Sequence, residues 1–504
     1  MRNWAIVSII SRFLAQTIGV VQSVVIIKIV SVNDYGLIGL VGSIVAILGV
    51  TQSLGISSGA TREIAATDNR KDAFKVFLGS LVVRYSITIP LITILFFIAP
   101  YLGYKVYHRP DIIFPLRIFA VTIMVESAQS VLNSVIQGLK RFKFLFTFQV
   151  GIAFISLMIF VPFVLRYKFL GYYYATFFLQ VVWTSIMVFY VFKLFKGSID
   201  VPTKRELIRI IKAVFSIGIF VYITRILYTL WQKMGPAIVA RHVSGIELGI
   251  FTFALFVSAK IIMISDAITD VTLPSMTTIY ERQKDKFFDI FKNVNSKSLI
   301  LITVASVGLI FFKKDAFLVV DYIFAFVGKN PITPRYESSF SLMTPMIVGF
   351  WAYSLINLLR SGYSVPIKRM WQVLFVYIMM LVLTGSLFYS HLLNMKPMPK
   401  FAYSLMIGAI LSWLLYLTLN QIFIRKLIIT FEEIFIILFS GTVIWLYSMN
   451  MLNKYILFAV YAALSGIFYW YSYYYKNRLV VDITDNKGNE NKVTDKKFEK
   501  QNKG

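Results

Sequence analysis

Arg12 and Arg225 are the residues in this sequence best placed to hold an anion. Each lies inside a long apolar run of membrane-helix length. Arg12 stands roughly eight residues into its run, a depth of about 12 Å at 1.5 Å per residue, and Arg225, 213 residues on, holds the corresponding place in its own. A charge at such a position costs roughly 2.5–3.5 kcal/mol even on a lenient insertion scale, so it marks a functional candidate. Guanidinium groups suit the task because they bind anions through paired, parallel N–H donors. Snorkelling to the headgroups is the competing reading for Arg12, and the matched arginine in the second run weighs against it. Arg84 and Lys297 are a further pair, near the starts of two other runs, where snorkelling is the first reading. Lys28 and Arg241 end the runs that contain Arg12 and Arg225. They would either draw an anionic group along or anchor the helix end at the interface.

A second pattern is polar rather than charged. Glu126, Ser130, Asn133 and Gln137 fall at spacings of 4, 3 and 4 with Gln129 alongside, which puts them on one helical stripe. Such a stripe in an apolar run faces a wet cavity or a partner helix. Ser354, Asn357 and Ser361, near Arg360, form a weaker counterpart. Interhelical hydrogen bonding is the alternative for both. Asp34 and Glu247 read as helix-start carboxylates favoured by the dipole, and Gly36 and Gly249 as sites of close helix contact. Asp266 and Asp270, at a helix end, are poorer candidates.

These residues need a frame to hold them. The chain of 504 residues is 58% hydrophobic and only 15% charged, with a mean hydropathy of +0.73. A soluble domain carries about 25% charged residues. Fourteen apolar runs of spanning length lie near 4–30, 35–57, 78–99, 112–138, 144–165, 169–192, 212–234, 248–268, 295–312, 340–364, 371–394, 400–423, 427–449 and 454–475. The fold class is therefore an all-α polytopic membrane protein with about fourteen transmembrane helices, because only helices and closed barrels satisfy their backbones in lipid. The net charge of +27 does not point to nucleic acid. Loops on the side of the N-terminus hold twenty-two Lys and Arg against twelve on the other side. The positive-inside rule then places both termini in the cytoplasm.

Zero cysteines and three histidines argue against a metal cluster or disulfide framework, and no G-x-x-x-x-G-K-[ST] loop offers an ATP site. No cofactor is expected, and an ion gradient (H+ or Na+) or the membrane potential is left as the energy source.

Shifted by 213 residues, the sequence matches itself without a gap from 11 to 84. Ser11-Arg12-Phe13-Leu14 falls on Thr224-Arg225-Ile226-Leu227, and Lys28-Ile29-Val30-Ser31 on Arg241-His242-Val243-Ser244. Seven of the eleven charged positions keep their sign, against two or three by chance, so the match is an internal repeat. Lys140-Arg141 falls on Lys368-Arg369 at an offset of 228, which places about fifteen inserted residues in the second half near 313–336. Six spans per half make the two repeats parallel, related by an axis along the membrane normal. The expected organisation is an N-lobe with six spans at 1–195 and a cytoplasmic linker at 196–211. A C-lobe with six spans follows at 212–423, then two C-terminal spans at 424–475 and a disordered cytoplasmic tail at 476–504.

The segment Asp34-Tyr35-Gly36-Leu37-Ile38-Gly39-Leu40-Val41 after a very short loop resembles the start of span 2 in the polysaccharide flippases of the MOP superfamily. Leu54-Gly55-Ile56 running into Thr61-Arg62-Glu63-Ile64-Ala65 is similar, as is Glu247-Leu248-Gly249-Ile250-Phe251 in the second half. The branch it resembles most is the Wzx-type O-antigen flippases. That resemblance implies a plasma-membrane protein, not an enzyme, that flips a polyprenyl-pyrophosphate oligosaccharide by alternating access for surface polysaccharide or lipopolysaccharide synthesis. It also implies that spans 1 and 7 line the central cavity, where Arg12 and Arg225 would face each other across a pyrophosphate. Its rivals are a cation-coupled multidrug exporter, which would need acidic groups, and a membrane glycosyltransferase or polymerase, which would need outer-loop carboxylates or a metal.

Overall fold

The computed structural model describes residues 2–51, 56–67, 69–215, 219–325, 331–424, 431–449 and 453–470. Within them the elements are α1 (Arg2–Ile29), α2 (Val32–Thr51), α3 (Ile56–Ala66), α4 (Arg70–Tyr101), α5 (Ile113–Gly138), α6 (Phe142–Leu194), α7 (Lys204–Phe215) and α8 (Ile219–Val239). They continue with α9 (Gly245–Ser258), α10 (Ile261–Arg282), α11 (Lys284–Ile323), α12 (Ile332–Arg335), α13 (Ser339–Leu359), α14 (Met370–Tyr389), α15 (Pro397–Ile424) and α16 (Phe431–Ser448), and then Lys454–Trp470. The Leu54-Gly55 pair, Arg425, Lys426, Lys329 and the 476–504 tail lie outside the described residues.

Among the described residues each of the fourteen apolar runs is mostly helical, with run 248–268 divided between α9 and α10. Eight helical stretches are long and apolar enough to cross a membrane by length and composition. One of them, α6, carries two runs: its backbone turns back at Lys168 (φ 50°, ψ −121°), and Gly171 packs where a Cβ would strike the Phe163 carbonyl. The inserted stretch of the second half is partly helical, since α11 runs on to Ile323 and α12 follows.

Two compact units make up the chain. The first comprises 1–258, 314–346 and 370–412, and the second 259–313, 347–369 and the residues from 413 onward. In the first unit an apolar core gathers Ile64, Phe74, Phe77, Val131, Val135, Met187, Val191, Phe195 and Ile210 from α3 to α7. Phe74 and Phe195 meet edge to face at 5.2 Å. In the second unit Trp351 donates to Thr303 Oγ1 at 2.9 Å and packs on Trp413, and Glu433, fully buried, accepts from Asn295.

The repeat is visible in backbone detail. Ser31 Oγ accepts from the Asp34 N–H, and Ser244 and Glu247 cap each other's N–H groups. These are the same N-terminal device at positions 213 apart. Lys140 and Lys368 both adopt left-handed backbone, with φ of 56° and 62°. Around them, Lys140 N–H bonds to Gln137 O and Arg141 N–H to Ile136 O, and Lys368 N–H bonds to Val365 O and Arg369 N–H to Ser364 O. Both are Schellman terminations with lysine where glycine is usual.

The halves meet in the first unit through α2 and α9. A Cβ on Gly36 would lie 2.6 Å from Gly249 N and 2.9 Å from Gly245 O, and one on Gly249 would strike the Val32 carbonyl. Gly39 faces Thr252 in the same register. Adding 213 to 32 and 36 gives 245 and 249, so the contact is self-complementary, as a two-fold axis requires. The register rises in the same direction on both helices. They therefore run parallel, and the axis lies along them.

The segment after α6 is structured by a capping box. Thr203 N–H and Oγ1–H donate to Glu206 Oε2, and Glu206 N–H donates to Thr203 Oγ1. Leu207 and Ile210 of α7 pack on Gly79, and Lys75 pairs with Glu206 at 2.9 Å and Asp200 at 3.2 Å. The bonds from Lys75 and Thr203 hold the Glu206 carboxyl down to about 2. A carboxyl depressed in the folded state contributes fully above its ordinary value near 4.5 and loses that contribution as pH falls toward 2. Docking of α7 should therefore be unchanged from pH 8 to pH 5 and weakened at every pH by Lys75→Ala. Spin-label distances between Lys71→Cys and Lys204→Cys read this directly. Broadening in the parent protein between pH 8 and 5 would contradict it.

Candidate functional site

The first unit brings three of the sequence-expected groups together from three helices. Arg84 of α4, buried at 5% exposure, lies within electrostatic reach of Glu126 of α5 and Arg225 of α8. Tyr85 and Tyr222 border the same group. The arrangement follows from local periodicity. On α5, Glu126 and Gln137 are exposed and Ser130 and Asn133 half-exposed, whereas Ser127, Gln129, Val131, Ser134 and Gly138 are buried against neighbours. The stripe is therefore the open face of its helix, except that Gln129 belongs to the packed side. Ser130 Oγ donates back to Ser127 O.

Arg225 is exposed on α8, while Trp231 on the other side of that helix is fully buried and donates to Thr384 Oγ1 at 3.1 Å. Arg12 lies on α1, but its side chain is outside the described set.

Other expected site residues go elsewhere. Lys28 is 2% exposed, donates to Phe324 O at 2.7 Å and Asp321 O at 3.4 Å, and faces Asp321 Oδ1 at 3.7 Å. Its charge is thus paired within the fold. Arg241 lies over the Tyr107 ring at 5.6 Å. Lys297, Asn357 and Ser361 belong to the second unit. There Asn357, fully buried, donates to Ser265 Oγ at 3.2 Å and Asp266 Oδ1 at 3.0 Å, and Ser361 Oγ donates to Asn357 O. In the span-10 counterpart of the stripe Asn357 thus bonds across helices, while Ser354 and Ser361 bond back within their own. Asp34 and Glu247 act as the helix-start carboxylates expected of them. Among the described residues no three His, Cys, Asp or Glu side chains gather as a metal site.

One intramembrane cation escapes the sequence reading. Lys233 lies half-buried on α8, eight residues beyond Arg225 and about 12 Å along the helix. The signal is present in the spacing Tyr222, Arg225, Thr229, Lys233, a polar stripe along an apolar helix.

Parallel repeat helices that meet through α2 and α9, with cations on several apolar spans, define a multi-pass helical membrane protein. Solved structures agree on the fold. The lipid II flippase MurJ, in an inward closed conformation, superposes with a TM-score of 0.70 at 13% identity, over 95% of this chain and 100% of that one. An inward-facing multidrug resistance MATE transporter of the MOP superfamily gives 0.62 at 16% identity, over 82% of this chain and 95% of that one. An outward-facing one gives 0.52 at 14%, over 84% and 96%. No curated protein matches the chain. The family described as polysaccharide biosynthesis protein matches residues 25–325, more than half of the sequence, and the chain belongs to it.

Proposed function

We propose that the chain flips a polyprenyl-pyrophosphate-linked oligosaccharide from the cytoplasmic to the outer leaflet of the plasma membrane by alternating access. The observation that carries this reading is the Arg84–Glu126–Arg225 group. Two guanidiniums and one carboxylate lie within electrostatic reach of one another on three membrane-spanning helices, a group with more positive than negative charge among the described residues. Like charges in a low-dielectric setting repel strongly, and an anionic ligand relieves that repulsion. A diphosphate fits because it accepts bidentate N–H donors from more than one guanidinium. A cation exporter would call for an acidic excess, and the group has a basic one. The family match and the fold shared with MurJ support a lipid-linked cargo. Its glycan, whether O-antigen or another surface polysaccharide, is set by the host's glycosyltransferases.

Both termini and the α7 segment are cytoplasmic on this reading. Deleting the chain should leave the lipid-linked glycan in the inner leaflet, and reintroducing it should restore the glycan at the cell surface. A Lys204→Cys protein should resist impermeant thiol reagents in intact cells. Surface glycan unchanged by the deletion would overturn the flippase reading, and labelling of Cys at 204 from outside would overturn the orientation.

A further inference from the structure

We propose that Arg109 and Arg335 form a reciprocal clamp that holds the outer ends of spans 1 and 7 closed, and that its opening gates release of cargo outward. The proposal rests on the alternating-access reading above.

Arg109 Nη2 donates to the Val243 carbonyl at 2.6 Å, and Arg335 Nη2 donates to the Val30 carbonyl at 2.6 Å. Val30 and Val243 are the same position of the repeat, 213 residues apart. Arg109 belongs to the first half and reaches the second, whereas Arg335 belongs to the second and reaches the first. Each arginine sits on a short helical turn after the third span of its half: Arg109 immediately before Pro110–Ile112, Arg335 at the end of α12. The local sequences differ, and about fifteen residues are inserted between α11 and α13, yet the bond recurs with the same acceptor.

Around it the exchange continues. Lys28 at the end of span 1 is held by Asp321 and Phe324 of the second half, and Arg241 at the end of span 7 lies over Tyr107 of the first. Asp321 also accepts the Ile332 and Thr333 N–H groups at 2.7 and 2.8 Å, which fixes α12 beneath Arg335.

On the span 1 side the chemistry is that of a helix end, since Val30 directly follows α1; on the other side Val243 lies in the bend four residues beyond α8. The last carbonyls of a helix lack intrahelical donors and carry partial negative charge. A guanidinium satisfies both needs, and Arg335 also reaches Ile27 O and Lys28 O at 3.4 Å. Water satisfies the same carbonyls when the ends part, so the bond is reversible. The neighbouring α2–α9 contact at Gly36 and Gly249 is close backbone packing, so the polar part of the closure lies in the two arginines together with Lys28 and its Asp321 partner.

The chain has no cysteine to replace, so Thr229→Cys on α8 serves as a single reporter. In intact cells, its rate of labelling by an impermeant maleimide reports outward opening. Arg335→Ala should raise that rate about tenfold, equivalent to about 1.4 kcal/mol. Arg109→Ala should raise it by somewhat less, having fewer carbonyls to lose, and the double variant by about the product. Arg→Lys at either site keeps a charged donor and should return most of the parent behaviour, which separates clamp loss from misfolding. A rate unchanged in the double variant, with normal membrane levels, overturns the clamp. Labelling is measured in cells that make no lipid-linked glycan. A response there, combined with surface glycan that does not depend on the protein, would sink the flippase reading and leave the clamp standing.

Discussion

Arg225→Ala is expected to abolish export of the lipid-linked glycan while membrane levels of the protein stay normal. A diphosphate carries about two negative charges, and taking an ion from water into hydrocarbon without partners costs several kcal/mol per charge at least. Fixed guanidiniums replace the lost hydration. Arg225 is exposed on its helix and lies near Arg84, so its removal takes charge from the group without opening a cavity in a packed core. A loss of 3 kcal/mol in binding, the order expected for one buried charge-assisted contact, is roughly a hundredfold or more in rate. Arg225→Lys keeps the charge and loses the planar fork, so partial export should remain. If Arg225 merely anchored its helix by snorkelling, the lysine variant would export at the parent rate.

Arg84 and Glu126 sharpen the test. Arg84→Ala removes the cation that, among the described residues, acts on Glu126 and should fail for two reasons at once. Glu126→Gln raises the net positive charge and should keep substantial export. Surface-glycan complementation, with immunoblots of the membrane fraction, reads all four variants. Full export by Arg225→Ala would remove α8 from anion binding and turn attention to Arg12 and Lys233.

Gly249→Ala should destabilise the protein by roughly 2–3 kcal/mol, the range for forcing a methyl into a packed contact. Its Cβ would strike the carbonyl of Val32, and a backbone atom cannot rotate out of the way as a side chain can. Gly36→Ala meets Gly249 N at 2.6 Å and Gly245 O at 2.9 Å and should behave alike, by the symmetry of the contact. Gly42 lies on the same α2 with nothing within 4 Å of its Cβ position. Gly42→Ala should be neutral or gain up to about 1 kcal/mol from helix propensity. Melting of the detergent-purified proteins, followed by size exclusion after heating, separates the cases. Gly249→Ala melting within a degree of Gly42→Ala would mean the halves do not meet through this face.

How much of this was legible before folding depends on the range of the interaction that fixed it. Helix length against bilayer thickness is local, so the apolar runs located every span, and the turn at Lys168 only divided two runs the sequence already separates. The repeat was legible because the same local devices recur, at an offset of 213 up to the insertion and 228 beyond it. Ser31-x-x-Asp34 and Ser244-x-x-Glu247 start helices, Gly36 and Gly249 permit close approach, and Lys140 and Lys368 close a Schellman turn. The open stripe of α5 was legible for the same reason: side chains four residues apart share a face. Lys233 went unread, although its spacing from Arg225 carried the signal.

What the tertiary structure alone decided concerns side chains whose partners lie hundreds of residues away. Lys28 reads as a cation at a helix end. Folding buries it against Asp321 and Phe324, nearly three hundred positions on, and no periodicity encodes that distance. Asn357 reads as a cavity residue until Ser265 and Asp266 take its carboxamide. Arg109 and Arg335 sit at different offsets within their halves, because the second half carries an insertion. Alignment therefore does not pair them. They are equivalent only through the carbonyls they reach, and a carbonyl is the same in every residue, so sequence carries no mark of it.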